Sequence, residues 1–138
     1  MMAVDIDIRY LGDLHCEALH QPSGERLATD APTDNGGKGA AFSPTDLVAT
    51  ALGTCLATVM GLVARRDGIA LEGMRVHVVK EMAAQPVRRI CALIVEVTMP
   101  AGLSPVARRI LEATARTCPV RQSLHDDVHV ELHFTYPD

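Results

Sequence analysis

The chain has 138 residues, with 13 Lys plus Arg against 17 Asp plus Glu and hence a formal net charge of −4. That length implies one domain spanning 1–138, able to bury about two thirds of the surface its unfolded chain exposes without a metal or disulfide to hold it. A soluble composition, 48% hydrophobic and 22% charged, with two Tyr, two Phe and no Trp, offers neither the basic patch nor the stacking platforms of a nucleic-acid binder. The start, MMAVDIDIR, carries no basic segment followed by an apolar run, so the expected compartment is the cytoplasm. There Cys16, Cys55, Cys91 and Cys118 should be reduced at rest, which leaves them packing, metal or redox roles.

Residues 2–10 alternate, with Met2, Val4, Ile6, Ile8 and Tyr10 on one side and Ala3, Asp5, Asp7 and Arg9 on the other, which predicts a half-buried strand. Turns at Gly12–Asp13 and at QPSG predict two further short strands around 14–19 and 25–29, an N-terminal three-stranded meander. DAPTDNGGKGAAF, from Asp30 to Phe42, has no apolar period and reads as a loop whose glycines supply mobility.

Ser43 followed by Pro44 is a cap-then-proline signal, and Asp46 stands where its carboxylate can reach back to the cap. The helix it opens runs through 18 uncharged residues, Leu47 to Ala64, and stops at Gly68. Three Thr, two Gly and four Ala within that run, and no second run like it, argue against a membrane span. The expectation is a helix buried on nearly all sides, covered on its second face by a partner subunit.

Strands over 73–82 and 87–99 follow as a hairpin, the second central in its sheet because both its faces are apolar. Ser104–Pro105 opens a second helix with Val106, Ile110 and Leu111 toward the core. Pro119 breaks it, a short helix over 119–124 restarts the chain, and a strand over 127–135 closes it. The order is that of an α+β fold.

His125, His129, Glu131 and His133 could be drawn as a metal site, but Val128, Val130, Leu132 and Phe134 alternate with them, so they read as the solvated side of a strand. No metal is expected. NGGKG lacks the Ser or Thr that follows Lys in a phosphate loop, and no GxSxG or HExxH occurs. Cys16 and Cys91 fall within strands and read as packing residues. Cys55 and Cys118 follow runs of small residues, ALGTC and ATARTC, that leave room around sulfur. Cys118 precedes proline at a helix start, where free amides favour thiolate, with Arg121 three residues on. Cys55, well inside the long helix, would need a cation from elsewhere. From the residues alone, two packed cysteines and a redox pair stand equal.

FSPTDLVATALGTC (Phe42 to Cys55), preceded by the Gly-rich loop and followed roughly sixty residues later by ATARTCPVRQSL (Ala113 to Leu124), resembles the OsmC/Ohr family of osmotically inducible and organic hydroperoxide resistance proteins. The resemblance implies the OsmC-like fold and an intertwined homodimer around the long helices. It also implies a thiol peroxidase without cofactor: Cys55 would be peroxidatic, Cys118 resolving, the substrate an organic hydroperoxide, and the reductant a lipoyl-like dithiol. The chain departs from the Ohr branch where a Pro-Glu pair opens the helix, since Thr45 follows Pro44 and Asp46 comes next. The first turn, YLGDLH, contains no Arg, which leaves Arg9, Arg26 or Arg121 to support the thiolate. The chain therefore resembles the broader OsmC-like branch, and the contrasting expectation is a non-enzymatic dimer binding a small apolar or thiol-reactive ligand.

Overall fold

In a computed structural model describing residues 2–137, the chain divides into two compact units, Met1–Leu47 and Val48–Asp138. The first contains the expected meander: β1 (Ile6–Gly12), β2 (His15–His20) and β3 (Arg26–Asp30), antiparallel in the order β1-β2-β3. β1 starts later than its alternation suggests. It is also not half-buried, since Ile6, Ile8 and Tyr10 are 57%, 67% and 66% exposed. Alternation reports that one face is apolar, and it does not report which chain covers that face.

The segment after β3 is organised around Asp30, which is 1% exposed. Its Oδ2 accepts the amides of Lys38 (3.2 Å) and Ala40 (2.9 Å), and the loop closes with the Asp30 amide donating to the Phe42 carbonyl. Gly37 passes so near Ala31 that a Cβ there would lie 1.8 Å from the Ala31 carbonyl oxygen. Its glycine serves close approach rather than the mobility expected from composition.

Helix α1 spans Pro44–Asp67. At its start Ser43 Oγ accepts the Asp46 amide (3.1 Å) and Asp46 Oδ2 accepts the Ser43 amide (2.9 Å), the reciprocal cap that the sequence predicts. Gly68, at φ 69°, ends it. Ala49, Leu52, Gly53, Leu56, Met60 and Ala64 form one buried stripe, while Thr54, Thr58 and Leu62 are exposed. The expectation of burial all round is thus corrected for the isolated chain. Thr54 and Thr58 turn their hydroxyls back onto the carbonyls of Thr50 (2.8 Å) and Thr54 (2.7 Å).

In the second unit β4 (Arg75–Ala83) and β5 (Arg89–Thr98) form an antiparallel hairpin, and β6 (His129–Thr135) runs parallel to β5 on its other side. β5 is central, as its two apolar faces predict. Leu93, Val95 and Val97 of β5 meet Leu52, Leu56 and Met60 of α1 in the core. Gly53 lets α1 approach β4: a Cβ there would stand 3.0 Å from Val78 Cγ2. Helix α2 (Pro105–Ala115) is capped by Ser104 Oγ on the Ala107 amide, and α3 (Pro119–Ser123) follows. The core face of α2 is Ala107, Leu111 and Ala115, which corrects the placement of Val106 and Ile110; these are 56% and 37% exposed. Leu111 faces the core as expected, and Ala107 and Ala115, rather than Val106 and Ile110, complete that face.

Candidate active site

Cys55 lies half-buried on α1, and Cys118 lies between α2 and α3, 0% exposed. Pro119 disfavours helical conformation at Cys118, whose φ of −64° and ψ of 146° make it the N-cap of α3. Its Sγ accepts the Arg121 amide at 3.4 Å. The two thiols are neighbours, because Cys55 acts on Cys118 both as a side-chain hydrogen-bond partner and as a nearby charge.

The balance of these influences corrects an expectation. Burial pushes the Cys118 thiol up, Cys55 pushes it the same way, and the amides of Arg121 and Val120 pull against them without prevailing. A helix start alone favours thiolate, but here desolvation wins and Cys118 is held as the neutral thiol.

The other cysteines stay apart from this pair. Cys16 is half-buried in β2, and Cys91 is half-buried in β5 with its thiol donating to the Glu81 carbonyl at 3.3 Å. Thr45 Oγ1 stands 3.2 Å from Ser43 Oγ, and with Asp46 it belongs to the cap of α1. Of the three candidate arginines, Arg121 shares a unit with both Cys55 and Cys118, whereas Arg9 and Arg26 belong to the N-terminal unit, where Arg26 pairs with Glu17 at 2.7 Å. Arg121 borders a cleft of about 260 Å3 with Leu52, Ala115, Arg116, Val130 and Leu132. Asp30 and Arg116 are two residues that the sequence reading did not single out. An Asp opening a Gly-rich loop was the available signal for the first, and no local pattern marks the second.

The His-rich strand is solvated, as expected. His129 and His133 each place Nε2 on a Glu131 oxygen, at 2.8 and 3.1 Å, and hold that carboxyl below its ordinary range. His125 turns instead to Asp127. Among the described residues no group of three or more His, Cys, Asp or Glu is arranged to hold a metal ion.

The sequence profile of the family described as OsmC-like protein matches residues 36–133, a span that includes the capped start of α1 and both cysteines. The chain belongs to the OsmC-like family. A solved structure from Psychrobacter arcticus 273-4, described as an osmotic stress induced and detoxification response protein, is 40% identical to it, with a TM-score of 0.89 over 98% of this chain and 96% of the other. An organic hydroperoxide resistance protein OsmC from Legionella pneumophila is 20% identical, with a TM-score of 0.78 over 98% of each chain. The organic hydroperoxide resistance protein OhrB of Bacillus subtilis is 14% identical, with a TM-score of 0.71 over 97% of this chain and 98% of its own. These last two establish a shared α+β fold. No curated protein sequence matches the chain.

Proposed function

We propose that this OsmC-like protein is a thiol-dependent peroxidase that reduces organic hydroperoxides, with Cys55 peroxidatic and Cys118 resolving. The observation that carries the reading is the juxtaposition of those two free thiols, one half-buried and one buried. In the first step the Cys55 thiolate attacks the distal oxygen of ROOH. The O–O bond breaks, the alkoxide leaves and takes a proton as ROH, and the sulfur becomes a sulfenic acid. The Cys118 sulfur then attacks Cys55, hydroxide departs and is protonated to water, and a disulfide forms. A lipoyl-like dithiol restores both thiols by two exchanges and is itself oxidised to the disulfide, so its two electrons end in ROH and water.

The exposed Ile6, Ile8 and Tyr10 of β1, together with Leu62 on the outer side of α1, support a homodimer in which a second copy covers apolar surface. The hydroperoxide resistance assigned to the Legionella and Bacillus relatives supports the substrate class. A reducing compartment, the cytoplasm, completes the reading, with residues 1–138 acting as one OsmC-like domain.

A second reading is favoured by one observation, the neutral, buried state of Cys118. In it the protein is a dimer that binds a small apolar or thiol-reactive ligand beside Cys55 without turnover. Steady-state assay with cumene hydroperoxide and dihydrolipoamide separates the two: turnover that disappears in Cys55→Ser supports the peroxidase, and equal rates in both proteins contradict it.

A further inference from the structure

Two clefts of the second unit meet at the same pair of arginines. The first, of about 260 Å3, is lined beside the arginines by Leu52, Ala115, Val130 and Leu132, of which Val130 and Leu132 are half-buried while Leu52 and Ala115 are 1% exposed. The second, also about 260 Å3, is polar and adds Gln122, Leu124 and Asp126. Arg116 and Arg121 border both.

Neither guanidinium is neutralised among the described residues. Arg116 lies over the Phe134 ring, 5.6 Å from its centroid, and the side chain of Arg121 makes no ion pair or hydrogen bond. The nearest acid of α2, Glu112, is engaged by the Tyr136 hydroxyl at 2.5 Å. In a chain of net charge −4, two arginines that border the same clefts and form no ion pair among the described residues are a local excess of positive charge. Asp126, which lines the second cleft with them, reduces that excess to about one charge, which matches a carboxylate better than a phosphate dianion. The reachable apolar side chains beside it, Val130 and Leu132, match a short aliphatic body, and the volume lies just under the roughly 300 Å3 at which drug-sized ligands begin.

We propose that this double cleft binds a small aliphatic carboxylic acid, its carboxylate held by Arg116 and Arg121 and its chain lying against Val130 and Leu132. The site uses no cysteine and stands independently of the peroxidase reading, so it is testable in Cys55→Ser protein.

Octanoate is titrated into that protein by calorimetry at low and high salt, with octanol and inorganic phosphate in parallel. Expected are octanoate binding that weakens with salt, little binding of octanol, and an increase in the octanoate Kd of about tenfold in Arg116→Gln and in Arg121→Gln. Unchanged thermal unfolding of both variants, whose substituted side chains are not core residues, shows that they are folded. Octanol binding as tightly as octanoate would overturn the proposal. So would phosphate binding as tightly, which would mean an adventitious ion only, and so would octanoate affinity unchanged in both variants or no octanoate binding at all.

Discussion

Cys118 neighbours Cys55 while capping helix α3 through its sulfur, and burial rather than the helix start decides its protonation. Because its folded pKa is raised above the ordinary 9.0, Cys118 is a neutral thiol at physiological pH. If attack by Cys118 on oxidised Cys55 closes the disulfide, closure accelerates as pH rises from about 7 to about 9, as the thiolate fraction grows. Stopped-flow oxidation across that range measures it, and a flat profile would contradict the assignment. The same raised pKa contributes stability that is present below pH 9.0 and is lost as pH rises through the folded value.

Cys55→Ser is expected to abolish hydroperoxide reduction. Cys118→Ser should retain one turnover and accumulate a Cys55 sulfenic acid, detectable by dimedone labelling and mass spectrometry. Labelling at Cys118 in the Cys55→Ser protein would reverse the two roles.

Gly53 is where α1 meets β4, with Val78 Cγ2 and Val76 Cγ1 at 3.0 and 3.4 Å from a would-be Cβ. Gly53→Val overpacks that contact and is expected to destabilise the protein by about 1–3 kcal/mol. Denaturant titration measures it, and unchanged stability would mean that helix and strand have room to separate.

Asp30 holds its loop through the Lys38 and Ala40 amides, and these, with the charge of His15, keep its carboxyl below the ordinary 3.8 against the opposing effect of burial. A lowered folded pKa contributes stability that is present above the unfolded pKa and is lost as pH falls through the folded one. Protection factors at the Lys38 and Ala40 amides, taken relative to the intrinsic exchange rate at each pH, should therefore fall as pH drops through the folded pKa of Asp30, and be low already at neutral pH in Asp30→Ala. Gly37→Ala should do likewise, since its Cβ has no space beside Ala31. Protection that persists in both variants would show that the carboxylate is incidental.

Much of this was legible in local pattern. Ser43-Pro44 and Ser104-Pro105 announce their helices because capping is chemistry within four residues, and the two apolar faces of β5 announce a central strand. What escaped depends on contacts distant in sequence. On α2 the inward placement of Leu111 is legible and holds at 0% exposure, but hydrophobicity ranks Val106 and Ile110 above Ala107 and Ala115, which stand one turn to either side of Leu111 and complete the buried face. The protonation of Cys118 escapes local pattern for a related reason. Its helix start is visible in TCP, but the burial that outweighs it comes from elements far along the chain. Likewise the exposed apolar side of β1 shows in sequence as alternation, which carries no information on whether the cover is intramolecular.

The central claim is that Cys55 and Cys118 form one redox unit, and anaerobic thiol counting before and after one equivalent of cumene hydroperoxide tests it most directly. The account predicts rapid loss of two of the four thiols, with peptide mapping of a disulfide between Cys55 and Cys118. Four thiols surviving the hydroperoxide, or a bond that involves Cys16 or Cys91 instead, would contradict it.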